Sequence, residues 1–319
     1  MTSRADDGPA VVLGATGFIG RWVVRELLSR GTPVVGVIRS PRRRRDAFDG
    51  WSTTPEFVTV DLGRAGSGRN VIVDLRPSVV FNLAGYGVDR EERDERLAER
   101  LNVELVQELA EACAPSGAAA GTRLIHVGSA LEYGTAGGLL SEQTTPEPTT
   151  LYGRTKLAGT LAITTAAGKS GTKGLTARLF TVFGDGEHPG RLFPSLVDAA
   201  ETGAAISLTD GEQRRDFAWA GDVASLLVDL SAAPFHPGEI VNLATGQMHS
   251  VAEFIRECAA QLRLTNQQLH FGALPTRAEE MQHEGVAVER LRELVGYTAD
   301  GNLAAAVTNA LRSRLAGDW

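Results

Sequence analysis

The chain reads as an α/β protein built on a doubly wound parallel sheet, with a smaller C-terminal lobe. Three observations predict this. A short apolar run, Val11-Val-Leu13, leads directly into the glycine-spaced turn Gly14-Ala-Thr-Gly17-Phe-Ile-Gly20. Strand-like runs then alternate with helical stretches as far as about residue 180, the pattern of parallel strands joined by crossover helices. With 319 residues and 43% apolar content, the chain is long enough for one large α/β domain and a second lobe.

Taken in order, the first unit is the most informative. After the turn, Trp22, Val23, Val24, Leu27 and Leu28 recur at helical spacing, completing strand, turn and helix. Glycines at such points permit a tight turn, let the backbone approach a pyrophosphate and allow close packing of helix on strand, while the helix N-terminus faces the anion. The unit predicts a dinucleotide site with Gly14, Gly17, Phe18, Ile19 and Gly20 as cofactor-binding residues. Its G-x-x-G-x-x-G spacing is one residue longer than the more familiar G-x-G-x-x-G.

Further strand runs fall at 34–38, 57–60, 79–83, 124–127 and 175–179, and helical stretches include 92–113 and 152–167. Ligands of a doubly wound sheet lie beyond the carboxyl ends of its strands. Gly14, Arg39, Asp61, Ala84 and Ser129 all fall at or just after such ends. Beyond residue 180 the spacing is less regular, with loops around 185–190 and 210–215.

Tyr152-Gly-Arg-Thr-Lys156 sets a tyrosine and a lysine four residues apart, on one face of a helix. A phenol with a pKa of about 10 is a poor acid or base at neutral pH, and a fixed lysine charge beside it favours the phenolate. Of the tyrosines, only Tyr152 has a lysine four residues on, in a chain whose other lysines are Lys169 and Lys173. Ser129, in Ser-Ala-Leu-Glu-Tyr-Gly, is the expected partner.

The glycine spacing, Asn82-Leu-Ala-Gly85, the Ser129 segment and the Tyr152/Lys156 pair together resemble the extended short-chain dehydrogenase/reductase superfamily, in particular its nucleotide-sugar epimerases, dehydratases and reductases. The likeness continues through Arg178-Leu-Phe-Thr-Val-Phe-Gly184, Gly211-Glu-Gln-Arg-Arg-Asp-Phe217 with Asp222-Val-Ala, and Gly272-Ala-Leu-Pro-Thr-Arg277. It implies a Rossmann-type domain over 1–178, with a return at 222–264, and an interleaved substrate lobe over 179–319. It also implies Ser129, Tyr152 and Lys156 as the catalytic set. Tyr152 would exchange a proton with the substrate oxygen, Ser129 would hydrogen-bond that oxygen, and Lys156 would hold the nicotinamide ribose and make the phenol more acidic. Asp61-Leu62 resembles the adenine-contacting pair, although Asp61 also suits an acid that merely ends a strand. Leu83, Ala84 and Gly85 complete the cofactor set.

Cofactor choice turns on the end of the second strand. An NAD enzyme of this kind carries a carboxylate there for the ribose 2′-hydroxyl, whereas this chain reads Gly36-Val-Ile-Arg39-Ser40. Arg39 suits a 2′-phosphate, which points to NADP over NAD; it would also suit stacking on adenine. For the substrate, Tyr86, Ser129, Thr181, Arg215 and Arg277 are the candidates, the two arginines gripping a pyrophosphate. Thr181 stands where such enzymes commonly have Asn. Tyr86 and Asp89 either approach the sugar or cap their loop.

Departures from the family pattern narrow the chemistry. The 4,6-dehydratases carry Asp-Glu directly after the Ser/Thr; here the residues are Ala130-Leu131, so the acid and base of elimination are missing. Glu132 is the nearest carboxylate, and by alternation along an extended segment its side chain would face away from that of Ser129. Epimerases of the family hold NAD tightly, against which Arg39 argues. The expectation is an NADP-dependent reductase of a nucleotide-linked 4-keto sugar, with an NAD-dependent 4-epimerase as the alternative. A non-catalytic NADP-binding protein is a further alternative, disfavoured by the intact proton-transfer set.

A formal charge of −7 argues against non-specific nucleic-acid binding. Cys113 and Cys258 lack metal-ligand spacing, the histidines are scattered, and His126 reads as a core residue of its strand, so no metal is expected. No signal-peptide pattern and no run of ~18 apolar residues is present, which leads to the expectation of a cytoplasmic protein without a membrane span. Apolar surface on more than one face of the helices before Cys113 and after Tyr152 predicts a homodimer.

Overall fold

The computed structural model describes residues 8–48, 51–89, 91–276 and 281–316. Its strands are β1 (Ala10–Leu13), β2 (Val34–Ile38), β3 (Glu56–Thr59), β4 (Val79–Asn82), β5 (Arg123–Ser129), β6 (Leu139–Leu140) and β7 (Gly174–Leu179). They continue with β8 (Thr181–Phe183), β9 (Ile206–Ser207), β10 (Arg214–Trp219), β11 (Glu239–Leu243), β12 (Met248–Ser250), β13 (Leu269–His270) and β14 (Gly285–Val286). The helices are α1 (Phe18–Ser29), α2 (Pro41–Phe48), α3 (Ser67–Leu75), α4 (Glu95–Glu99), α5 (Leu105–Ala112) and α6 (Leu151–Ser170). After them come α7 (Leu192–Thr202), α8 (Ala220–Ala232), α9 (Val251–Leu262), α10 (Glu289–Val295) and α11 (Leu303–Ala316).

Seven parallel strands form the main sheet in the order β3-β2-β1-β4-β5-β7-β11. The order reverses direction between β1 and β4, which opens a crevice at their carboxyl ends. Leu13 is paired with Asn82, and Asn82 with His126, so the central strands end nearly level, while β5 runs on to Ser129, opposite Leu179. Strands β1 and β2 are buried along their whole length, because helices cover both faces of the sheet. Trp22, Val23 and Leu27 of α1 meet Leu226, Leu227 and Leu230 of α8 on one face. Val71 and Ile72 of α3, Leu105 and Leu109 of α5 and Ile163 of α6 cover the other.

A second core lies in the C-terminal half. Phe183, Phe193, Phe217 and Phe254 pack with Val307 and Ala310 of α11, and the rings of Phe217 and Phe254 are stacked with centroids 4.3 Å apart. The return to the first core ends earlier than residue 264. Strand β11 joins the main sheet, but α9 turns Val251, Phe254, Ile255 and Cys258 into the phenylalanine cluster.

Candidate active site

The glycine turn closes on the loop that follows β4. Gly14 has φ +78°, and a Cβ on it would stand 2.9 Å from the amide nitrogen of Ala84 and 3.0 Å from the Leu83 carbonyl group. A Cβ on Gly20 would stand 2.1 Å from the Gly14 carbonyl oxygen. Gly17 donates to that same oxygen at 2.9 Å and begins α1 with no side-chain cap, leaving the first amides of a 12-residue helix without a side-chain acceptor. A cradle without side chains at a helix N-terminus fits a dinucleotide pyrophosphate. The structure thus brings Gly14, Gly17 and Gly20 together with Leu83 and Ala84. Phe18 and Ile19 open α1 and pack against the first core, and Gly85 is exposed beside Asn102, 3.2 Å from a Cβ position.

Arg39 is exposed at the residue after β2 and makes no hydrogen bond or ion pair among the described residues. Asp61 follows β3, the neighbouring strand. Its carboxylate accepts from the Gly63 amide at 3.0 Å and lies 3.6 Å from Arg64, while Leu62 packs on the second face of the sheet.

At the other side of the crevice, Ser129 ends β5 and Tyr152 sits in the first turn of α6. Thr150 caps that helix, accepting from the Gly153 amide at 3.0 Å, and so fixes where the turn begins. The Ser129 side chain acts on the Tyr152 phenol from the end of β5. Desolvation pushes the Tyr152 phenol above its ordinary range, the Glu132 and Glu92 carboxylates push it further, and Arg191 and the Ser129 side chain oppose them. Lys156, one turn on and 3% exposed, donates from Nζ to the Val127 carbonyl at 2.5 Å. Burial lowers it to about 8, against the opposing pull of Glu132. Desolvation dominates the tyrosine, and the ammonium is turned toward the backbone of β5.

The expectation for Glu132 rests on a backbone conformation that the structure does not have. Alternation assumed an extended chain, but Ala130–Glu132 form one turn of 3-10 helix with Ser129 as its cap. The turn brings the Glu132 carboxylate back to the Ser129 amide at 2.9 Å, while Ser129 Oγ accepts from the Leu131 amide at 3.2 Å. Glu132 also accepts from Thr160 Oγ1 at 2.9 Å and from Arg178 Nε at 2.8 Å, with both charged side chains buried.

The loop after β4 covers the tyrosine. A Cβ on Gly87, φ +102°, would be 3.4 Å from Tyr152 Cδ2. Asn102, fully buried in the π-helical turn Arg100–Glu104, donates to the Tyr86 carbonyl at 2.8 Å and to Thr155 at 2.9 Å, and accepts from the Tyr86 amide at 3.0 Å. A π turn places such a side chain where a regular helix would not. Glu92 accepts from the amides of Gly87 at 2.8 Å and Asp89 at 3.3 Å, and Asp89 lies 3.7 Å from His188. Thr181 opens β8 opposite Phe217, and Arg215, partly buried on β10, pairs across to His249 of β12. Arg277 lies outside the described residues. His126 is buried and accepts from Asn82 at 3.1 Å, its pKa pressed well down by burial and then by Lys156.

Asn102, Glu132, Glu92 and Arg191 were not singled out as site residues from the sequence. The Ser129-x-x-Glu132 spacing is a capping-box signal that identifies Glu132. The other three reach the site from separate segments and carry no local signature.

Among the described residues no group of three or more His, Cys, Asp or Glu is placed to hold a metal ion, and no helix is long and apolar enough to cross a membrane. The family model of the NAD dependent epimerase/dehydratase family matches residues 10–244. A dTDP-6-deoxy-L-talose 4-dehydrogenase (NAD(P)(+)) of Kitasatospora kifunensis is 31% identical, covering 93% of this chain and 92% of its own length. A UDP-glucose 4-epimerase of Mycolicibacterium smegmatis is 24% identical over 94% of this chain and 96% of its own. Among solved structures, MoeE5 in complex with UDP-glucuronic acid and NAD superposes with a TM-score of 0.81, at 29% identity over 97% of this chain and all of that one. The chain belongs to the NAD dependent epimerase/dehydratase family, whose members are NAD(P)-dependent enzymes acting on nucleotide sugars.

Proposed function

We propose that this protein is an NADP-dependent reductase of a nucleotide-linked 4-keto sugar, most specifically a 4-keto-6-deoxyhexose. The observation that carries the reading is the grouping of Tyr152, half-buried in the first turn of α6, with Ser129 at the end of β5 and buried Lys156 one turn on; desolvation first, and then the Glu132 and Glu92 carboxylates, push the phenol up and favour its protonated form. A proton donor is what reduction of a carbonyl requires. Two further features support it. Arg39 stands at the end of β2 with no carboxylate beside it, and the relative from Kitasatospora kifunensis is named as a 4-dehydrogenase of a 6-deoxy sugar.

In this reading Ser129 orients the substrate carbonyl, Tyr152 gives its proton to the forming alkoxide, and buried Lys156 supplies the positive charge beneath them. The nicotinamide cofactor, bound at the glycine cradle by Gly14, Gly17, Phe18, Ile19, Gly20, Asp61, Leu62, Leu83, Ala84 and Gly85, supplies the hydride. Tyr86 and Thr181 meet the sugar, and Arg215 and Arg277 meet the pyrophosphate. Residues 1–178 with the later return hold the cofactor, and 179–319 the substrate. We place the protein in the cytoplasm as a homodimer paired through α5 and α6, where Leu161 is 53% exposed.

The test is to identify any nucleotide released on denaturation and then to follow NADPH oxidation with a panel of 4-keto-sugar nucleotides. Stoichiometric NADPH consumption with little retained nucleotide is the expected result. An NAD-dependent 4-epimerase is the second reading, favoured by the NAD-bound MoeE5 structure and the epimerase relative. Tightly retained NAD with interconversion of 4-epimers would establish it instead. Arg215→Ala should raise KM for the sugar nucleotide while sparing kcat; an unchanged KM removes the substrate assignment.

A further inference from the structure

We propose that Glu132 is a positioning residue of the proton-transfer set: one buried carboxylate fixes the end of β5 and keeps Lys156 an ammonium ion and Tyr152 a neutral phenol. The inference rests on the reading of Ser129, Tyr152 and Lys156 as that set, but not on the identity of the substrate.

Glu132 is fully buried, and its oxygens are accounted for. One accepts from the Ser129 amide at 2.9 Å, the other from Thr160 at 2.9 Å and from Arg178 Nε at 2.8 Å. Three donors from β5, α6 and β7 thus converge on one group, so the carboxylate ties the serine, the tyrosine-bearing helix and the neighbouring strand into a single unit. Arg178 is fastened in turn, its guanidinium lying 4.5 Å from the centroid of the Tyr133 ring. Tyr133 donates to Asn242 of β11 at 2.6 Å. The site's geometry is therefore referred to the edge of the sheet through buried polar contacts that leave little freedom to rearrange.

Charge is the second part of the role. Lys156 faces Glu132 from the turn after β5, His126 from β5 and Tyr152 on its own helix; Glu132 favours the ammonium against the desolvation that lowers it. Tyr152 faces Glu132, Glu92 from the loop after β4, Arg191 at the start of α7 and the Ser129 hydroxyl. Arg178 donates from Nε to Glu132 at 2.8 Å, so its positive charge lies beside that carboxylate and offsets part of its field. Of the two carboxylates that act on Tyr152, Glu132 is the one that also acts on Lys156, in a water-poor setting where a charge is weakly screened.

The experiment uses the full chain without substrate. Because Lys156, Lys169 and Lys173 are its only lysines, biosynthetic labelling with ε-13C-lysine gives a spectrum in which Lys156 is assigned by its loss in K156R. In the wild type the Lys156 signal is expected to titrate near pH 8, and in E132Q about one pH unit lower, a tenfold change in proton affinity. E132Q leaves Arg178 buried without its partner, so the double variant E132Q/R178M, which removes both charges, is measured beside it. A smaller fall in the same direction is expected there, because the positive charge of Arg178 is removed as well, and E132D should restore part of the wild-type midpoint. A wild-type midpoint below about 7, or an unchanged Lys156 midpoint in a variant whose Lys169 and Lys173 signals match the wild type, overturns the proposal. No substrate enters the measurement, so an error in the substrate reading leaves the result intact.

Discussion

Lys156 donates to the carbonyl oxygen of Val127, two residues before Ser129, at 2.5 Å. The helix that carries the tyrosine is thereby pinned to the strand that carries the serine, and the ammonium is held under the site by the backbone rather than by a side-chain carboxylate. The contact makes the protonation of Lys156 a structural as well as a chemical variable.

Removing the phenol oxygen should abolish turnover without unmaking the cofactor cradle, which is built from other segments. Tyr152→Phe is expected to lose about 10²–10⁴-fold in kcat, the usual range for a positioned acid, with cofactor affinity unchanged in a fluorescence titration. A fully active variant would sink the role given to Tyr152.

Burial lowers Lys156 to about 8 from its ordinary 10.5. Below pH 8 both folded and unfolded chains hold the proton, and the desolvation penalty is present in full. Between about 8 and 10.5 the unfolded chain binds more protons, so folding stability rises with pH through this window. The gain is bounded at about 3 kcal/mol. Lys156→Met removes the titration, so urea unfolding midpoints of wild type and variant should differ less at pH 9.5 than at pH 7 if the wild type is the less stable, and their pH slopes should differ in every case. Parallel slopes would show that Lys156 is not buried as an ammonium.

Gly20 has no room for a methyl group: its Cβ would overlap the Gly14 carbonyl oxygen. Gly20→Ala must displace the turn from the start of α1, and dinucleotide binding should weaken at least about tenfold, about 1.4 kcal/mol. Calorimetric titration checks this, and wild-type affinity would show that the turn is not the pyrophosphate cradle.

Arg39→Ala tests the cofactor preference. If the exposed guanidinium meets a 2′-phosphate, losing a charge-assisted bond worth about 1.5–3 kcal/mol should weaken NADPH by about tenfold or more and leave NADH nearly unchanged. Equal effects on both cofactors would assign Arg39 to adenine stacking.

What could be read without coordinates was whatever depends on neighbours in the chain. Gly14, Gly17 and Gly20 announce a turn because their constraint is backbone sterics over seven residues, and Tyr152 and Lys156 share a face because a helix repeats every 3.6 residues. Asn102 escaped notice because its contacts to Tyr86 and Thr155 depend on a π-helical turn that no local pattern marks. The buried contacts of Glu132 have no local signature in an extended reading, because one turn of 3-10 helix replaces the segment that alternation assumes.

By itself, then, the sequence determined the succession of strand, turn and helix, the glycine turn after β1 and the placing of tyrosine and lysine one turn apart on α6. The protonation of that pair was decided only by tertiary structure. Glu132, Glu92 and Arg191 come from separate segments, and their fields act on Tyr152 and Lys156 because folding removes the water that would screen them.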